Sequence, residues 1–135
     1  MSSVAVTQAS GAPLVALVTT AETAALTSAA LPVNAPGAQG ILVSGCVTGA
    51  TGASVTSVQV RVYRGATIGG GVQIGVTLQE SAGASSFYEN GFSVLDTAPG
   101  ANPQYTVSVQ QVAATGNGTV TLANIALEVA NATGA

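Results

Sequence analysis

The chain has no lysine, no histidine and no tryptophan in its 135 residues. Its only basic side chains are Arg61 and Arg64, set against five acids, one cysteine and one methionine. Each absence removes a class of chemistry. Without histidine there is no imidazole to act as general base for a serine or cysteine nucleophile. Without lysine there is no Schiff-base amine. One cysteine and no histidine cannot build a structural zinc site, and Cys46 has no partner for an intrachain disulfide. The five acids, Glu22, Glu80, Glu89, Asp96 and Glu128, are scattered along the chain. Glu89 and Asp96 are seven apart, which puts them on opposite faces of an unbroken strand. That spacing does not suit the paired carboxylates of glycoside hydrolysis. No metal or cofactor is expected, and the chain is not expected to be an enzyme. The carbonyl-rich stretch DTAPGANPQ (96–104) is the one place where a weak calcium site could be built.

A net charge of −3 with two arginines argues against nucleic acid, whose phosphates are neutralised by lysine and arginine. No apolar run approaches the 18 residues that read as a membrane helix. The opening MSSVAVTQAS lacks a basic n-region and a long apolar h-region, so no Sec signal is expected. Charged residues make up only 5% of the chain, against about 25% in an ordinary soluble protein. Two readings of this scarcity stand. Either a neutral, threonine-rich surface is simply tolerated, or much of the surface is covered by copies of the chain or by a larger assembly.

What is present is alanine (25), valine (19), glycine (17) and threonine (16), more than half of all positions. Valine and threonine favour strands, and glycine, proline and asparagine clusters cut the chain into segments of about ten residues. LVALVTT (14–20) reads as a strand. AETAALTSAALPV (21–33) permits a helix, but Thr23 and Thr27 favour an extended segment. GILVSGCVTG (40–49) is a short continuous apolar run, read as a strand buried on both faces with Cys46 as a small core residue. VTSVQVRVYRG (55–65) alternates, with Val58, Val60 and Val62 inward and Gln59, Arg61 and Tyr63 outward. ATIGGG (66–71) is a flexible connection; it lacks the lysine and following helix of a phosphate loop. VQIGVTLQ (72–79) places Val72, Ile74, Val76 and Leu78 inward. FYENGFSVLD (87–96) follows, and YTVSVQQV (105–112) turns Tyr105, Val107 and Val109 inward. TVTLANIALEV (119–129) changes register near Asn124 through a bulge. About eight strands and no helix give an all-β fold, an antiparallel two-sheet sandwich that is jelly-roll-like.

Arg61 and Arg64 are an odd number apart on one strand, so they project to opposite faces and form no joint anion clamp. The plainer reading of each is an exposed arginine over the sheet beside an acidic neighbour. The sharper one is an intersubunit ion pair with Glu80, Glu89, Asp96 or Glu128.

Several phrases in order, LVTTAETAALTS, VSGCVTGATGASVTSVQVRVYRG, FSVLDTAPG and QYTVSVQQVAATGNGTV, resemble a family of small all-β capsid decoration, or cement, proteins of tailed phages and prophages, notably those of actinobacteria. The resemblance covers roughly residues 14 to 129. It implies a virion structural protein on the outer capsid surface, bound to the major capsid protein and assembled as a homotrimer, with no nucleic acid or membrane partner. Under it, residues 1–13 form an arm laid on the capsid or on a neighbour, with Val4, Val6 and Gln8 as candidate contacts. Residues 14–130 form the sandwich and 131–135 a tail. The alternative is a receptor- or glycan-binding module of a phage fibre, a spike or a bacterial surface appendage.

Overall fold

The computed structural model describes residues 8–11, 15–17, 22–31, 39–50, 57–80, 87–112 and 118–131. They form nine strands: β1 (Gln8–Gly11), β2 (Val15–Leu17), β3 (Thr23–Thr27), β4 (Gln39–Ala50), β5 (Ser57–Arg64), β6 (Val72–Glu80), β7 (Phe87–Asp96), β8 (Tyr105–Val112) and β9 (Gly118–Asn131). β1 and β2 both pair with β9, at residues 123–126 and 118–120, and together make one interrupted edge strand. Counted that way the strands number eight, as the segment spacing predicts.

The chain folds back on itself at residues 65–71. From that point each strand pairs antiparallel with its mirror image: β5 with β6, β4 with β7, β3 with β8, and β1/β2 with β9. The doubled ribbon then closes through β4–β9 and β5–β8. The result is two sheets, β1/β2-β9-β4-β7 and β3-β8-β5-β6. This mirror order is that of a jelly roll.

The core lies between the sheets. Ile41, Val43 and Val47 of β4, Val58, Val60 and Val62 of β5, Val107 and Val109 of β8, and Ile125 and Leu127 of β9 are all buried there. Each such aliphatic side chain stabilises the fold by roughly 1.5–3 kcal/mol relative to exposure. The alternation expected in β5 and β8 is present, with Tyr105 also inward. Residues 21–33 do run extended through β3. After it, the Ser28 amide donates to the Tyr105 carbonyl at 2.8 Å and the Leu31 amide to the Pro103 carbonyl at 2.9 Å.

Four expectations need correction. In β6 the facing is reset by a bulge: Tyr63 pairs with Gln73 and Val62 with Gly75, so Ile74 is the extra residue. Ile74 packs against the core and Gly75 lies beside Val94, but Val76, opposite outward-facing Arg61, is exposed. The bulge of β9 is also displaced. Leu122 pairs with Thr48 and Val120 with Gly49, which leaves Thr121 unpaired, three residues before Asn124. β4 is buried on one face only, because its odd-numbered residues point inward while Leu42, Ser44, Cys46 and Thr48 are half-buried. Finally, the sandwich starts before residue 14: Gln8 pairs with Ala126, so part of the supposed arm is an edge strand of its own sheet. Val4 and Val6 lie outside the described residues.

The connection at 65–71 is fastened at its base rather than loose. The Gly65 amide donates to the Gln104 carbonyl at 2.7 Å, and the Thr106 hydroxyl donates to the Gly65 carbonyl at 2.9 Å. Gly65 has φ 144°, where a side chain is strained.

Candidate functional site

Two polar constellations are built into the sandwich, one on each side of β5. Arg64 ends β5 on the inward side, where the opposite sheet presents Asp96 at the end of β7. The Arg64 Nε donates to Asp96 Oδ2 at 2.7 Å and its Nη2 to Oδ1 at 2.9 Å. Tyr105, fully buried at the start of β8, donates its hydroxyl to Oδ2 at 2.9 Å, and the Ala98 amide donates to Oδ1 at 3.1 Å. Side-chain exposure is 28% for Arg64 and 2% for Asp96. Burial pushes the Asp96 carboxyl up, but hydrogen bonds from Arg64, the Ala98 amide and Tyr105 outweigh it and hold the group below its ordinary value. Burial and the neighbouring Asp96 raise the Tyr105 phenol strongly.

With two donors on each oxygen, Asp96 has no lone pair directed at a substrate or cation. The loop 96–104 therefore commits its one carboxylate to Arg64, not to calcium. Glu89, seven residues earlier, is exposed, so the two acids do face opposite ways.

On the outer face of the four-stranded sheet, Glu22 gathers the second constellation. Its Oε2 accepts from the Tyr63 hydroxyl at 2.7 Å and closely from the Ser108 hydroxyl, and lies 3.7 Å from an Arg61 nitrogen. Arg61 also donates to the Gln110 side-chain oxygen. Desolvation, then the hydrogen bond to Glu22, raises the Tyr63 phenol. Arg61 and Glu22 keep 21% and 23% of their side-chain surface exposed, so water screens this pair. Glu22→Gln retains an acceptor for both hydroxyls and is expected to lower stability by about 1 kcal/mol or less, measured by urea unfolding.

The two arginines thus face opposite sides of their strand, as their spacing requires. Each meets a carboxylate inside its own chain, the plainer of the two readings. Asp96 is one of the four acids named as partners; Glu22 is not. Sequence reasoning missed Glu22 because its segment carries no clear alternation, and missed Tyr105 because a core-facing aromatic gives no sign that its hydroxyl reaches a charge.

Cys46 departs from its expected place. It lies on the outward side of β4, half-buried and unbridged. Its amide donates to Asn124 Oδ1 at 2.9 Å, and Asn124 Nδ2 lies 3.4 Å from its sulfur. Among the described residues no group of three or more potential metal ligands occurs. Exposed large apolar side chains collect on β6 and β7: Val72 (56%), Val76 (53%), Leu95 (51%) and Phe87 (88%).

No known family profile matches the chain, and no curated protein matches it. Solved structures similar to it include Bacillus endospore appendages, which form disulfide-linked pili, at 12% identity and TM-score 0.39, covering 94% of this chain and 88% of that one. Dimeric latent PorU from Porphyromonas gingivalis is similar at 9% identity and TM-score 0.47, with 93% of this chain and 13% of that one covered. The Gx strain of infectious bursal disease virus is similar at 8% identity and TM-score 0.47, with 97% and 31% covered. The chain spans less than a third of the last two. Such low identities and scores transfer no role.

Proposed function

We propose that this chain is a virion structural protein: a decoration subunit that binds the major capsid protein on the outer surface of a phage shell and stabilises it as a homotrimer. The observation that carries the reading is the disposition of charge. Both cationic side chains of the sequence are held in intrachain pairs, and the buried carboxylate Asp96 is saturated. What remains among the described residues for acting on other molecules is uncharged strand edge and sheet surface that carries few carboxylates and no free cation. Gluing a shell needs area rather than bond-making, and three rigidly joined footprints turn weak contacts into strong avidity. The order of sequence motifs, which resembles that of phage decoration proteins, supports the same reading, and a jelly roll suits a tiled coat without requiring one.

The glycan-binding alternative finds less support. Tyr63 and Tyr105 are buried against carboxylates, which leaves Phe87 as the exposed aromatic among the described side chains. A sugar platform of one phenylalanine is small.

Two measurements test the proposal together. In purified particles the protein is expected at hundreds of copies, by gel densitometry; a handful per particle points to a fibre. Binding of the purified protein to expanded capsids is expected to change less than about threefold between 0.1 and 1 M salt, because few ion pairs are free to form. Failure to bind capsids at any salt rejects the proposal.

A further inference from the structure

The strand orders end on β6 in one sheet and β7 in the other, and these two edges lie together along one flank of the sandwich. Among the described residues no further strand pairs with either. An edge strand presents a row of main-chain donors and acceptors, and natural proteins usually blunt it with lysine, proline or inward charge. β6 has no lysine and no proline, and its one charge is Glu80 at its last residue. Its single bulge is at Ile74, and from Gly75 to Glu80 the pairing with β5 is regular. The edge is therefore straight for its last six residues, and the whole strand is about 30 Å long. It is also flanked by apolar surface, with Val72 and Val76 on β6 and Leu95 on β7 about half exposed.

We infer that this flank is where a second copy of the chain docks, its own strand edge extending the sheet across the seam. The inference deepens the proposed function, and rests on it for the expectation that the copies close into a trimer. Charge selects the occupant. A partner recognised through ion pairs would need a cation or a cluster of acids here, and β6 offers neither before Glu80. A neutral strand apposed to a strand of another copy costs no like-charge repulsion. The outer face of the five-stranded sheet is different: Glu89 and Glu128 both lie on it, and both arginines are engaged on β5. Stacking two such faces would oppose carboxylates with nothing to offset them. Main-chain hydrogen bonds together with flanking apolar side chains are the means by which an extended strand is recognised at a sheet edge.

The test is sedimentation of the purified chain at micromolar concentration, alongside the double variant Val72→Glu/Val76→Glu and the single variant Leu95→Lys. A glutamate at 76 lies opposite Arg61, which favours retention of the fold. The wild type is expected to be oligomeric. The double variant is expected to self-associate at least tenfold more weakly with unchanged circular dichroism, and Leu95→Lys to weaken association in the same direction. A monomeric wild type overturns the inference, as does an oligomer that neither variant disturbs. If the double variant does not fold, Leu95→Lys decides alone. Capsid binding is read separately: an oligomer broken by these variants whose wild type ignores capsids sinks the decoration reading and leaves this seam standing.

Discussion

Replacing Arg64 by methionine is expected to lower folding stability by about 3–5 kcal/mol, and replacing Asp96 by asparagine by roughly half as much. The asymmetry follows from which charge is left behind. Without Arg64, the Asp96 carboxylate stays almost wholly buried with only the Tyr105 hydroxyl and the Ala98 amide to hold it. Without the Asp96 charge, the guanidinium still has more than a quarter of its surface in water, and the asparagine oxygen can still accept a hydrogen bond. Urea unfolding at pH 7, followed by circular dichroism because the chain lacks tryptophan, measures both. Equal costs would mean that the unpaired Arg64 guanidinium cannot reach solvent and is as costly to leave behind as the carboxylate. A cost below 1 kcal/mol for Arg64→Met would show that this end of the sandwich is not tied by the pair.

The same constellation sets the pH dependence. Asp96 is held below the ordinary aspartate value of about 3.9, so its contribution is present above that pH and is lost as pH falls through the folded-state value. In that window the unfolded chain binds a proton that the native chain does not. Tyr105 is raised, so its contribution is present below the ordinary tyrosine value of about 10 and is lost as pH rises beyond it. The stability curve should therefore be flat between these limits and fall at both ends. In Arg64→Met the burial that pushes Asp96 upward is no longer outweighed by the guanidinium, so the folded-state value moves toward the unfolded one and the Asp96 share of the acid limb should shrink.

How far such features can be read from the sequence depends on whether a strand keeps its period. β5 and β8 are regular at their inward positions, and their valines announce the core directly. β6 looks as regular as β5 in the alternation of its apolar residues, but the bulge at Ile74 reverses the facing of Val76, and the isolated Gly75 beside it is the one sign in the sequence. The opposite facing of Arg61 and Arg64 follows from parity alone. Their partners do not, because Glu22 and Asp96 are brought to β5 from 39 and 32 residues away by the winding of the ribbon. β1, with the sequence QASG, has no alternation to separate it from an arm; only the unpaired side of β9 gives it a place. Local spacing thus reveals strands, while the jelly-roll order arises from which strands meet across the fold at residues 65–71.

Substituting alanine for Gly45 should cost about 3 kcal/mol, near the upper end of what overpacking does. Gly45 sits in the middle of β4, in register with Phe92 on one side and Ile125 on the other. A Cβ there would lie 2.0 Å from the Asn124 backbone carbonyl oxygen, 2.8 Å from Asn124 Oδ1 and 2.8 Å from the Phe92 ring. A backbone oxygen in a central ladder cannot rotate away, so β4 and β9 must part locally. Gly75→Ala is the informative comparison. Its Cβ would meet Val94 Cγ2 at 2.4 Å, but that contact is a side chain on an edge strand, and a rotamer change can relieve part of it. Gly75→Ala should therefore cost less, about 1–2 kcal/mol. Cys46 provides a second readout. Its sulfur lies beside Asn124, so separation at 45/124 should raise the rate of thiol labelling in Gly45→Ala and leave it unchanged in Gly75→Ala. Should the two variants unfold at the same urea concentration and label at the same rate, the β4–β9 ladder would have to yield at its centre. The larger sheet would then be too compliant to act as the rigid plate that a shell-binding subunit requires.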